Sequence, residues 1–170
     1  MRIQCSGYAF TGIITKGCDE GNFKNEFGYE YTGQIKNNAA HGKGTRIGSY
    51  FDGDDTGEWV DGWLTGYGER IFKEGAIYHG QFEKGSMHGY GQKASDKCES
   101  QGQWVQNVMQ GPMRVLTNDG NVKYTIWEKN KDTGVPCDAD DFVGKANEGT
   151  FLSTYLPILP TYLPICRLHT

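Results

Sequence analysis

The sequence predicts an all-β fold: a single layer of β-hairpins stacked in tandem, followed by an apolar C-terminal tail. Two observations predict it. The first is a spacing of glycines. Gly12, Gly33, Gly57, Gly80 and Gly102 recur at intervals of 21, 24, 23 and 22 residues, and each has a second glycine nine positions on, at Gly21, Gly42, Gly66, Gly89 and Gly111. A self-similar period of this length marks a repeat architecture, in which each unit buries its apolar face only by stacking on a neighbour. The second is alternation within the repeat. In Gly57-Glu58-Trp59-Val60-Asp61-Gly62 and Tyr78-His79-Gly80-Gln81-Phe82-Glu83, aromatic residues and glycines alternate with polar ones, which is the period of a strand.

Each unit reads as one hairpin. Five residues after the first glycine stands Gly17, Asn38, Gly62, Gly85 or Asn107, residue types that tolerate the positive φ of a hairpin turn. Gly62 and Gly85 are therefore expected at positive φ. A short turn near Gly75 or Gly120 leads to the next unit. In the second strand, Gly66-x-Gly68 and Gly89-x-Gly91 fall on one face and leave it bare. The large residue two places after the first glycine is Ile14, Ile35, Trp59, Phe82 or Trp104. It is expected to cover that glycine floor, so that successive units form one apolar ribbon on one face. A lone hairpin is marginal in water, so several must stack before any is stable.

The end units depart from the pattern, as outermost repeats do. Phe10-Thr11-Gly12-Ile13-Ile14 keeps the first half of a unit, while Asn22-Phe23-Lys24-Asn25-Glu26-Phe27 departs from it. Further on, Trp127 holds the aromatic place, Asn130 the turn and Gly134 the second glycine; Phe142-Val143-Gly144 with Gly149 reads as a final half unit at shortened spacing. The predicted organisation is about six repeats and a half unit over residues 1–152, then a tail over 153–170.

The pattern Tyr78-x-Gly80-x-Phe82-x-x-Gly85-x-x-His88-Gly89-x-Gly91 resembles a MORN repeat (membrane occupation and recognition nexus), and Tyr31-x-Gly33-x-Ile35 with His41-Gly42-Lys43-Gly44 is similar. The resemblance covers roughly residues 10 to 135. It departs where Asp55 and Ser100 replace the leading tyrosine and where Pro112-Met113 follows Gly111. It implies an elongated, twisted antiparallel sheet. Repeats of this family occur in proteins that tether membranes, bind phosphoinositides, scaffold cytoskeletal assemblies or precede an enzyme domain. The resemblance thus speaks more to fold than to any single function.

Composition fits one such domain. The chain has 170 residues, of which 36% are hydrophobic and 13% aromatic, and its mean hydropathy is −0.63. That is lean for a large globular core and suits a single-layer sheet. The formal charge is −4 and no polybasic run occurs, whereas nucleic acid or an anionic membrane attracts a basic stripe. A local basic patch across strands, from Lys36, Lys43 and Arg46, stays open. The five cysteines, Cys5, Cys18, Cys98, Cys137 and Cys166, show neither zinc spacing nor a CxxC pair. With no apolar leader after Met1-Arg2, they read as reduced thiols of a cytoplasmic protein; the resemblance adds membrane or cytoskeletal association.

No catalytic, metal or cofactor site is assigned. His41 and His88 share one repeat position and read as hairpin residues bonding locally. Asp138-Ala139-Asp140-Asp141 lacks the glycine and closing glutamate of a calcium loop, and Asp52-Gly53-Asp54-Asp55 reads as a turn between repeats. No Gly-x-Ser-x-Gly elbow and no phosphate-binding Gly-Lys-Ser/Thr ending is found.

The candidate binding surface is the aromatic face: Tyr31, Trp59, Tyr78, Phe82, Trp104 and Trp127. Two readings stay open for it. The aromatics hold neighbouring hairpins together, or they also line a groove for an extended or helical peptide. The tail is the second candidate. Its Leu156, Ile158, Leu159, Tyr162 and Leu163 are punctuated by Pro157, Pro160 and Pro164, so it is extended rather than helical. It either folds back over the repeats and the last sheet edge or docks on a partner or a second copy. The predicted function is a non-enzymatic protein-binding or scaffolding module acting through the aromatic face. The alternatives are attachment to phosphoinositide-bearing membrane and a targeting domain related to those that precede an enzyme.

Overall fold

The computed structural model of the chain describes residues 2–5, 8–12, 20–48 and 53–139, with side chains at 20–48 and 53–139. The strands, in chain order, are β1 (Arg2–Cys5), β2 (Tyr8–Gly12), β3 (Glu20–Lys24), β4 (Glu30–Lys36), β5 (Ala39–Ile47), β6 (Asp54–Val60), β7 (Trp63–Ile71), β8 (Ile77–Glu83), β9 (Ser86–Ala94), β10 (Cys98–Val105), β11 (Val108–Thr117), β12 (Val122–Glu128) and β13 (Lys131–Pro136). They form one 13-stranded sheet whose spatial order is the sequence order. Neighbours pair antiparallel, and one parallel bridge, Gln4 with Ala39, adds β1 to β5. Ile14, the half unit at 142–149, the 152/153 boundary and the whole predicted tail lie outside the described residues.

The turns follow the residues that permit them. Asn37-Asn38, Asp61-Gly62, Lys84-Gly85, Gln106-Asn107 and Lys129-Asn130 each have two consecutive positive φ angles; Gly62 stands at 88° and Gly85 at 79°. These are type I′ turns, whose twist matches that of the flanking strands. Between repeats, Gly28, Gly75 and Gly120 close longer turns at φ of 87°, 87° and 85°. In each, a glycine N–H bonds back three residues, to Asn25, Phe72 and Thr117. The stretch 22–27, which the sequence pattern set apart, therefore keeps the architecture: its first three residues end β3, and the turn that follows at Gly28 is that of the later repeats.

Main-chain bonds also tie four of these type I′ turns to the hairpin before them. Gly62 N–H donates to Ala40 O, Gly85 to Leu64 O and Asn107 to Met87 O, all at 2.9 Å, and Asn130 donates to Met109 O at 3.3 Å. At two of the turns an asparagine side chain adds a bond: Asn107 Oδ1 accepts from Met87 N at 2.8 Å and Asn130 Oδ1 from Met109 N at 2.7 Å.

A row of glycines crosses the sheet. Gly21, Gly33, Gly44, Gly57, Gly68, Gly80, Gly91 and Gly102 are successive cross-strand partners from β3 to β10. Beyond them the same register continues through Met113 and Thr125 to Pro136. Residues directly opposite share a face, so the row is a furrow without side chains, and the core lies along it. The second glycines make bulges. Three residues around each oppose one on the first strand, as His41-Gly42-Lys43 oppose Gln34. The extra N–H of each bulge needs a partner. Gln34 Oε1 accepts from Lys43 N at 2.7 Å and Gln81 Oε1 from Tyr90 N at 2.8 Å.

Candidate functional site

The aromatic ribbon forms as predicted on one face, with a different division of labour. The glycine floor lies mainly under the leading tyrosines. A Cβ on Gly44 would collide with the Tyr31 ring, and one on Gly80 or Gly91 with Tyr78. Each phenol donates to a carbonyl three residues on along its own strand, Tyr31 to Gln34 O at 2.8 Å and Tyr78 to Gln81 O at 3.1 Å. Trp59, Phe82 and Trp104 pack beside these tyrosines. Tyr31 meets Trp59 edge-on at 5.5 Å between centroids, and Tyr78 meets Phe82 at 5.2 Å and Trp104 at 5.4 Å, geometry that the ring quadrupoles favour. The indoles reach the preceding strand's glycine carbonyls, Trp59 to Gly44 O at 2.9 Å and Trp104 to Gly91 O at 3.3 Å.

Burial divides the six candidates. Tyr31, Trp59 and Tyr78 are 0% exposed, Trp104 3% and Phe82 4%. Trp127 is only partly buried. The furrow explains the difference. Met113 and Thr125 fill it at this point, and the Trp127 indole turns to Thr125 Oγ1 at 3.0 Å instead of lying on a bare floor. The cover thins from here to β13, every residue of which is exposed.

The sequence reading missed a charged cluster in the core. Asp55 is 0% exposed and receives two guanidiniums. Arg46 Nη2 lies 2.5 Å from Asp55 Oδ2 and Arg70 Nε 2.6 Å from Asp55 Oδ1. Arg70 also donates to Gly85 O at 2.9 Å. Asp55 is thus not part of a turn; it stands in the place of a leading tyrosine, as cross-strand partner of both arginines. The basic patch from Lys36, Lys43 and Arg46 does not assemble either, because Arg46 is buried against Asp55 and lies over the Tyr29 and Trp59 rings at 5.8 and 5.9 Å. The available signal was position. The row Tyr31–Arg46–Asp55–Arg70–Tyr78 follows once the strands are paired through their glycines. Burial raises the Tyr78 phenol well above its ordinary value, against the opposing pull of the Arg70 charge.

The other titratable candidates stay apart. His41, His79 and His88 face Asp61, Glu69 and Glu83 at 3.7, 3.3 and 3.4 Å. Among the described residues no three His, Cys, Asp or Glu side chains gather to hold a metal, and no helix is long and apolar enough to cross a membrane. Cys98 is in no disulfide.

No curated protein matches the chain. A family model described as the MORN repeat matches residues 31–49, 56–77, 78–95 and 101–112, and these stretches cover the hairpins in which the glycine furrow is intact. Such repeats are modules of protein and membrane binding rather than of catalysis. The register, the furrow and the family match agree: this chain is a MORN-repeat protein.

Proposed function

We propose that the chain is a non-enzymatic protein-binding scaffold that uses its aromatic face, with Tyr31, Trp59, Tyr78, Phe82 and Trp104 as a rigid spine and Trp127 as the residue a partner touches. The observation behind this reading is the gradient along the ribbon. Five aromatics are sealed over the furrow, while Trp127 stays half open beside a fully exposed β13. Tryptophan in such a setting supplies large contact area at small entropy cost, as at interface hot spots. A protein or peptide surface suits the site better than an anionic membrane, because the lysines nearest the turns are dispersed and Arg46 is neutralised in the core.

The test pairs two measurements on the intact chain. Trp127→Ala should abolish recovery of a protein partner in quantitative pull-downs without loss of the folded sheet. Phosphoinositide vesicles should sediment little of either protein. Strong, salt-sensitive sedimentation with vesicles would favour the membrane reading instead.

A further inference from the structure

The face opposite the aromatic ribbon carries a second file of residues. Tyr67 pairs with Gln81, Gln81 bonds to Tyr90, and Tyr90 pairs with Gln103, on β7 to β10 in turn. Each stands beside a furrow glycine, so strand alternation turns it to the other face. Pro112, paired with Ile126, continues the file on β11 and β12. These side chains are half-buried, and Val60, Trp63 and Val105 on the same face are exposed. From β7 to β11 the file thus alternates ring and amide, strand by strand.

Gln103 differs from the other glutamines of this file. Gln34 and Gln81 accept the extra N–H of a bulge, from Lys43 and Tyr90. In the bulge opposite Gln103 that place belongs to Pro112, which has no N–H to give. The side chain lies accordingly. A Cβ on Gly42 or Gly89 would collide with Oε1 of Gln34 or Gln81, whereas one on Gly111 would stand 3.6 Å from Gln103 Oε1. Gln103 and the neighbouring cross-strand pair Gln92 and Gln101 make no side-chain hydrogen bond among the described residues. Three amides are therefore available on one face, next to the rings.

We propose that this file binds a proline-rich segment of a partner protein, lying across the strands as a polyproline II helix. Neighbouring strands lie about 4.8 Å apart, which sets Tyr67 and Tyr90, two strands apart, roughly 9.6 Å from each other. Polyproline II repeats every three residues over about 9.3 Å, so prolines three apart meet successive tyrosines. Aromatic rings are a general means of holding such segments. Their carbonyls have no internal partner and accept from the glutamine amides, and their prolines bring no N–H to be left unpaired. Charge selects the flanking residue. Glu58, Glu69 and Glu83 border the file, faced by Lys43 and by His79 and His88. With the histidines neutral the border is acidic, which a lysine or arginine beside the prolines complements.

The test is titration of the intact chain with a synthetic peptide that has proline at every third place and lysine at its N-terminus. It should bind about tenfold more tightly than a peptide of the same composition in which no two prolines stand three apart. Gln103→Leu, close in volume but without the amide, and Tyr90→Ala should each weaken binding about tenfold. Trp127→Ala, on the opposite face, should leave it unchanged. Equal binding of the two peptides, or full affinity in Gln103→Leu, would overturn the assignment. Loss of binding in Trp127→Ala would also overturn it, by moving the peptide to the aromatic ribbon. The full-length double variant Pro157→Ala/Pro160→Ala decides the source of the segment. Unchanged affinity supports an external partner, and clearly tighter binding would give the surface to the chain's own prolines instead.

Discussion

Arg70 Nε and Asp55 Oδ1 lie 2.6 Å apart in the interior of a sheet whose surface carries most of its charge. Deleting one partner leaves the others buried and unmatched, the costly case for ion pairs. Asp55→Ala, which strands both Arg46 and Arg70, should destabilise by about 3–5 kcal/mol in urea unfolding. Raising salt from about 0.1 to about 1 M should leave that cost unchanged, because buried charges are little screened. The exposed Lys24–Glu30 pair is the control: Lys24→Ala should cost less than about 1 kcal/mol.

The turn at Lys84-Gly85 predicts a contrast between two substitutions at one site. Gly85 stands at φ 79°, and the equivalent places are held by Asn38, Asn107 and Asn130 at 62°, 69° and 65°. Gly85→Val should cost more than about 1 kcal/mol, because a β-branched residue fits that region poorly. Gly85→Asn should cost clearly less. Thermal unfolding of the two variants side by side checks the order, and a reversal would contradict the turn assignment.

Phe82 and Trp127 occupy equivalent places with unequal cover. Phe82→Ala should destabilise by about 3–5 kcal/mol, the range for a large side chain removed from a closed core. Trp127→Ala should cost less than half as much. Equal losses would mean that Trp127 is as enclosed as Phe82.

Alkaline pH provides a test of the Tyr78 seat. Burial raises the phenol above its ordinary value near 10. Below that pH both folded and unfolded chains keep the proton, and the stabilisation is complete. As pH rises past it, the unfolded chain ionises first, so stability falls until the folded phenol also titrates. Melting temperature should therefore drop more steeply above pH 10 in the native chain than in Tyr78→Phe. Tyr78→Phe should also lose about 1 kcal/mol at neutral pH, with its bond to Gln81 O.

Residues 153–170 predict a truncation effect. Leu156, Ile158, Leu159, Tyr162 and Leu163 form a large apolar set for a soluble surface. Deleting the segment should lower the melting temperature or increase the binding of an apolar dye. A truncated chain that melts unchanged and binds no more dye would assign these residues to an external partner.

The fold was legible because glycine speaks for geometry directly. Gly62 and Gly85 announced positive φ, and the nine-residue pairing of Gly80 with Gly89 set hairpin length. The cross-strand row was not legible, because partners such as Gly44 and Gly57 belong to different repeats and meet only through the connecting turn. Asp55 was misread for a related reason. In one dimension it sits among Asp52, Gly53 and Asp54, the composition of a turn; the repeat pattern puts it in the leading tyrosine's place, but only the pairing of Arg46, Asp55 and Arg70 across three strands shows its buried charge partners. At the candidate site, residue type identified the six aromatics, but the difference between Phe82 and Trp127 depends on Met113 and Thr125, two substitutions in the floor beneath.

The bonds from four turns to the preceding hairpins give the sheet a direction. In all four, the main-chain donor belongs to the later hairpin and the acceptor, Ala40, Leu64, Met87 or Met109, to the earlier one. During synthesis the acceptors leave the ribosome first, so each emerging hairpin finds its template already made. For these four bonds, the order of translation is the order of template and recruit.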